Sequence, residues 1–370
     1  MGQAAIADVL AARPLLRRLS MRGEKRILSW AAAVAAVASL ALVAACPGGG
    51  VPGVPKVPGG DAGKVDPNAC SGYASNDAGK KLKRFLQATV QLEKTVLDTE
   101  NYLRDTCNMM GEKLGMAPSD GKTKETCAAV EAALKDHMQV GLKAEATLDV
   151  QVQPAVCEVN VDVAAKAAAS CEANASADVK VTCEGSCSGT CNGTCDGECA
   201  GSAGTDGSGG ACNGECKGNC SGECSGSCQG HADVNASAEC RAEAEVKASA
   251  EAKCTPPDVK VEFAADAVLD KSKVEAAVAS IEVGLGRILE VQARASGPLM
   301  AAFRTWAKSA EELKDAGKAF GKQALCVGGQ LGAAVAAVAR VKVSLDVQVN
   351  VSASVSGSAS GGAGGEASGG

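Results

Sequence analysis

The sequence predicts an α+β protein: a helical bundle of two αα-hairpins, with a long disulfide-laddered antiparallel β-hairpin inserted between them and a β-strand near the C-terminal end. Three observations carry this prediction. The cysteines form a mirror image about a point near residue 205. Apolar residues recur at helical spacing on both sides of that region, and period-two alternation runs along both cysteine-bearing arms and again from Val341.

The mirror is a matter of spacing. Going in, the gaps between Cys157, Cys171, Cys183, Cys187, Cys191, Cys195 and Cys199 are 14, 12, 4, 4, 4 and 4. Coming out, Cys212, Cys216, Cys220, Cys224, Cys228, Cys240 and Cys254 give the same gaps in reverse, so the residue numbers of every mirrored couple total 411. A tandem duplication repeats the order of its gaps, whereas antiparallel partners keep a constant total. The predicted couples are Cys157–Cys254, Cys171–Cys240, Cys183–Cys228, Cys187–Cys224, Cys191–Cys220, Cys195–Cys216 and Cys199–Cys212. The gaps are all even, which puts every cysteine on one face of its strand and in one ladder class. In the non-hydrogen-bonded class facing Cα atoms stand close enough for disulfides.

The same register sets Gly185 opposite Gly226, Gly189 opposite Gly222, Gly193 opposite Gly218 and Gly197 opposite Gly214. Val159, Val161, Val163, Ala165, Ala167 and Val181 share the cysteine face, as do Val234, Ala242, Ala244, Val246 and Ala248 on the return, with charged and polar residues opposite. Pro154 would face Pro257 and Val152 would face Val259, with a bulge or local twist expected around Ala155 and Thr255 where the apolar parity changes. A continuous strand from Cys157 to Cys199 would reach roughly 140 Å at about 3.3 Å per residue. Ala and Gly bury little apolar surface to offset the ordering of such a ribbon, and a lone hairpin is marginal in water. Covalent rungs supply what packing lacks by restricting the unfolded chain.

Four helices are predicted. Leu82, Leu86, Val96, Leu103, Cys107, Met110 and Leu114 mark the first, from about Ala78 to Gly115. After the break at MAPSDG, Cys127, Val130, Leu134, Met138 and Leu142 mark the second, from about Lys122 to Ala146. Val274, Val278, Ile281, Leu285 and Ile288 mark the third, ended by Ser296-Gly297-Pro298. Leu299, Phe303, Trp306, Ala310, Leu313, Gly317 and Phe320 open a fourth that continues to about Ala339. Cys107 and Cys127 lie level across the first turn, and Cys70 and Cys326 fall at one end of the bundle, so both couples are predicted to bond. The final strand alternates Val341, Val343, Leu345, Val347, Val349, Val351 and Val355 with polar residues, and its LDVQV repeats the LDVQV at Leu148. It is expected to join a three-stranded sheet at the base of the ribbon.

The resulting organisation is a leader over residues 1–45 with translation starting at Met21, and a Gly/Pro tether at 46–68. A helical hairpin at 69–147 and the cysteine-rich β-hairpin at 148–263, with its tip near 200–211, come next. A second helical hairpin at 264–340, a strand at 341–356 and a disordered Gly/Ser tail at 357–370 complete it.

The leader runs from basic residues (Arg22, Lys25, Arg26) through an apolar stretch from Ile27 to Val43, Ala44, Ala45 and Cys46. It resembles a bacterial lipoprotein signal with its lipobox. That resemblance implies lipidation of Cys46, a membrane anchor and a place in the cell envelope; Pro47 after the cysteine leans toward the outer rather than the inner membrane. A plain secretory signal or an uncleaved anchor is the alternative. Apart from Cys46, eighteen cysteines remain, an even number in keeping with disulfides in an oxidising compartment.

The net charge is −6; residues 1–45 hold six Lys or Arg against two Asp or Glu, so the chain from Cys46 on carries −10. An acidic chain without a basic patch argues against a nucleic-acid partner. His137 and His231 are the only histidines, on a helix and on a polar strand face, and no catalytic constellation or cofactor motif is evident. The expected role is therefore non-enzymatic: a structural or interaction protein, self-associating through the flat Cys/Ala/Gly face of the ribbon or docking an unidentified protein partner there. Two other readings are a membrane-perturbing protein with an amphipathic hairpin and a Cys-rich metal binder, since C-x3-C lies within the range of zinc-ligand spacings.

Overall fold

The computed structural model describes residues 64–360 apart from 71, 144–145, 147, 154, 173–178, 202–209 and 256. The leader, Cys46, most of the tether, the hairpin tip and the tail beyond Ser360 lie outside the described residues.

Two pairs of helices build the body. α1 (Asp77–Lys113) starts where the Asn76 side chain accepts a hydrogen bond from the Gly79 amide, and ends before Gly115, whose φ of 78° lets the chain reverse. α2 (Thr123–Gly141) returns along it, and Cys107 and Cys127 are bonded across the pair with Cα atoms 5.2 Å apart. The second pair is α5 (Lys271–Arg294), capped by Asp270, and α6 (Met300–Leu313); between them Ala295–Leu299 forms a π turn around Gly297 and Pro298. A 3-10 segment at Ala316–Gln323 leads into α7 (Ala324–Ser360). One core joins the first half of α1 to α6 and α7 through Phe85, Leu92, Trp306, Leu331 and Leu345. There the buried Trp306 indole N–H donates to Thr89 Oγ1 at 2.8 Å. Another core joins the second half of α1 to α2, α5 and the end of α7 through Leu103, Met110, Leu134, Ile281 and Val355. Cys70 and Cys326 are bonded, Cα atoms 5.7 Å apart, joining the entry to α1 with the start of α7.

The expected strand at 341–356 is instead the second half of α7. The alternation of Val341 to Val355 favours a strand locally, but Val341, Leu345, Gln348, Ser352 and Val355 step by four, three, four and three residues and are all buried. Packing along that stripe, with Gln348 Nε2 donating to the Val96 carbonyl at 2.7 Å, outweighs strand propensity. The sheet at the base accordingly has two strands, not three: β1 (Asp149–Val152) paired with β8 (Val259–Glu262).

Above it β2 (Val156–Asn160) pairs with β7 (Lys253–Thr255), Cys157 beside Cys254. Val152 pairs with Val259 and Val156 with Thr255, so one register spans both ladders with no residue inserted in either strand, which leaves the local twist as the form the expected change can take. The arms beyond are not strands. α3 (Val161–Cys171) and α4 (Ala238–Ala250) are helices, packed together and bonded through Cys171 and Cys240 with Cα atoms 5.4 Å apart. The mirror survives the change, for Val161–Cys171 is the image of Cys240–Ala250. Alanine is the best helix former, Asn160 caps α3 by accepting from the Val163 amide, and Ala164, Ala167, Ala168 and Cys171 make a buried helical stripe.

A polar clamp ties this pair to α1. Lys81 Nζ donates to Glu172 Oε2, and Glu172 Oε1 accepts from the Ser237 amide at 2.7 Å. Burial alone would raise the Glu172 carboxyl, but these bonds prevail and bring it down to about 2. A depressed carboxylate stabilises the fold above its unfolded value near 4.5, and that contribution is lost as pH falls toward 2. Glu172→Gln is expected to cost roughly 1–2 kcal/mol at pH 7 and almost nothing at pH 2, read from urea midpoints at both pH values.

Candidate functional site

The cysteine-dense segment folds as a two-strand coil rather than a flat ribbon. It comprises β3 (Val181–Cys187) and β4 (Thr190–Gly201) going up, β5 (Gly210–Ser225) and β6 (Ser227–Val234) coming down. Thr182–Ser186 of β3 and Thr190–Cys195 of β4 are paired along both edges. Cys191 lies beside Cys224 on one edge and Gly214 on the other; Thr182 lies between Asp233 and Glu223 in the same way. The two partners of any such residue are ten residues apart, so each strand winds through one turn in about ten residues. With strands about 4.8 Å apart and two strands per turn, the coil rises about 1 Å per residue. The straight 140 Å reach is thereby replaced by α3 and, from Val181 on, a compact coil of about two turns.

The disulfides cross the inside of this coil. They are Cys183–Cys228, Cys187–Cys224, Cys191–Cys220, Cys195–Cys216 and Cys199–Cys212, with Cα atoms 5.8–6.0 Å apart. With Cys157–Cys254, Cys171–Cys240, Cys70–Cys326 and Cys107–Cys127 they account for all eighteen described cysteines, each joined to its mirror or bundle partner. Covalent and hydrogen-bonded partners differ, however. Cys191 is bonded to Cys220 but hydrogen-bonded beside Cys224, four residues further along, and Gly193 stands beside Gly222 rather than Gly218. A straight ladder would make the two partners the same; winding displaces them by four residues toward one edge and six toward the other, which sends the sulfur bridge across the interior.

Burial follows the same period of two. Coil cysteines other than Cys199 are at most 6% exposed, while Thr182, Thr190, Asn192, Thr194, Asp196 and Asn219 are exposed. Glycines occupy the remaining inward positions because the opposing backbone leaves no room: a Cβ at Gly189 would lie 1.7 Å from the Ser225 carbonyl oxygen, and one at Gly218 2.1 Å from that of Asp196. On the outside, Lys217 pairs with Glu198 at 3.7 Å and Lys180 pairs with Glu223. Of the Cys/Ala/Gly face on which self-association was expected, the cysteines and glycines of the coil face its interior, and the alanines of the arms lie on α3 and α4.

No other constellation of catalytic kind lies among the described residues. His137 sits on α2, its Nδ1 2.9 Å from the Ala133 carbonyl, and His231 stands on β6 opposite Glu184. No group of three or more His, Cys, Asp or Glu suited to a metal ion is found among the described residues. An open cleft of about 400 Å³ lies between β6, α4 and α6, lined by Asp233, Arg241, Arg304, Thr305, Lys308 and Glu312. The signal that sequence reasoning missed was the pair Ala164 and Ala168, which break strict alternation on the first arm.

Fold and site together define a class by architecture, a helical body bearing a disulfide-filled two-strand β-coil. No family model matches the chain, and neither a curated protein nor a solved structure is similar to it.

Proposed function

We propose that this is a non-enzymatic, lipid-tethered protein of the bacterial cell envelope, outer membrane rather than inner, whose helical body presents the coil as a rigid structural or interaction module. The observation that carries the reading is the filling of the coil interior by five disulfides while Thr182–Ser186 and Thr190–Cys195 are hydrogen-bonded along both edges. Such a core contains neither a cavity for a substrate nor a free thiolate for a metal. Where both edges are occupied, the outward side chains are left as the means of recognition. Nine disulfides support an oxidising compartment, and the sequence from Arg22 to Cys46 supports the tether.

The membrane-perturbing alternative requires the hairpin to open and join a barrel wall, which the bridges between its strands oppose. Cys46→Ala is expected to move the protein from the membrane fraction to the soluble extract of the envelope, and to remove the lipid mass from its N-terminal peptide. Retention in the membrane with an unmodified Cys46 would overturn the tether.

A further inference from the structure

The joint between the coil and the helical body contains a carboxyl group with no evident structural use. Glu245 on α4 is 6% exposed, and neither of its oxygens meets a hydrogen-bond partner of normal geometry among the described residues. It lines a void of about 10 Å³, room for one water at most, together with Val159 of β2, Ala164 of α3, Ala232 of β6, Ser249 of α4, and Pro298 and Ala302 at the π turn and the start of α6. β2, α3, β6, α4 and the start of α6 meet here. The Ala295–Leu299 turn beside it departs from helical geometry at Gly297, so the wall of the void on that side is an irregular segment and not a continuous helix.

We propose that Glu245 is a proton-held latch: the joint stays closed while this carboxyl is protonated, and ionisation of the carboxyl opens it. A neutral carboxyl fits an apolar void; a bare carboxylate there lacks the hydrogen bonds that would offset its desolvation. The charged and titratable groups around it do not compensate. Asp233 on β6 adds a like charge. Arg241 on α4 opposes it, but its guanidinium already donates to the Val234 and Ala236 carbonyls. α6 brings the Thr305 side chain, with Arg304 and Lys308 further along the open cleft, while at the void α3 and the π turn bring Ala164 and Pro298. Glu243, two residues away, lies toward Arg84.

Burial, reinforced by Asp233, pushes the Glu245 carboxyl up to about 8 against the pull of Thr305 and Arg241. In an open joint the group would return toward the ordinary 4.5. Between those values the open form releases a proton that the closed form keeps, so closure weakens tenfold for each pH unit from about 4.5 to about 8, and no further above that.

The test is amide hydrogen exchange, followed by mass spectrometry on the full chain and on its Glu245→Gln variant at each pH from 5 to 9. The ratio of the two rates removes the intrinsic pH dependence of exchange. For amides of Ala242–Ala250, β6 and the start of α6, the ratio of wild type to variant is expected to rise about tenfold per pH unit and to level off near pH 8, with α2 unaffected. Glu251→Gln, exposed just past the end of α4, is expected to exchange as wild type does. A ratio that does not change with pH, or one that rises equally in α2, would overturn the latch, the second outcome because it describes global stability and not a joint.

Discussion

Gly189→Ala is expected to abolish the coil, although it adds only one methyl group. Its Cβ would stand 1.7 Å from the Ser225 carbonyl oxygen and 2.8 Å from the carbonyl carbon, so backbone rather than a flexible side chain must give way. That backbone is held on both sides by the Cys187–Cys224 and Cys191–Cys220 bridges. The cost is therefore expected to exceed the roughly 1–3 kcal/mol of ordinary overpacking, and the bridges nearest the site should fail to form in register. Non-reducing peptide mapping will show this as scrambled or free cysteines. Gly332→Ala on α7 is the control: nothing lies within 4 Å of the added Cβ, and a helix interior gains up to about 1 kcal/mol from alanine. Native pairing in Gly189→Ala, with stability equal to that of the control, would show that the coil is not as tightly wound as described.

The other large effect is expected from the couple Cys70→Ala with Cys326→Ala. These residues are 256 apart in sequence, against 20 for Cys107 and Cys127. By chain entropy the longer loop is worth about 5 kcal/mol and the shorter about 3. The bond also secures a corner where Tyr73 meets Phe320 with ring centroids 6.1 Å apart and the Tyr73 hydroxyl donates to the Pro67 carbonyl at 2.8 Å. Thermal unfolding of the double variant should show a larger drop than that of Cys107→Ala with Cys127→Ala. Equal drops would mean that the unfolded chain is already confined by the remaining bridges.

Which cysteines pair could be read from the sequence because antiparallel pairing is arithmetic: a constant total of residue numbers survives whether the chain between the couples is strand, helix or coil. The winding could not be read. Alternation states only that Cys191 and Gly193 point the same way, and the same parity serves a flat ribbon with a bare face and a coil that encloses it. What distinguishes them is which edge of β5 meets β4, a long-range choice with no local marker. The helices α1, α2 and α5 were legible because their apolar residues keep one period throughout. α3 and α4 were not, because alanine suits either period and only Ala164 and Ala168 betray the helix. LDVQV makes the same point: four of its residues form β1 at Asp149–Val152, whereas at Leu345–Val349 the pentapeptide lies within α7, where the buried stripe of Leu345 and Gln348 decides.

The sulfur bridges inside the coil also determine its mechanical behaviour. A pull between the tip and the body would load both arms together: the bridges from Cys199–Cys212 down to Cys183–Cys228 join positions that a straight ladder also sets opposite, so they permit unwinding, and the hydrogen bonds between turns are what resist it. Under such tension the coil would lengthen as its turns part, while the bridges keep the two arms in their original couples, so that it can rewind in the same register on release.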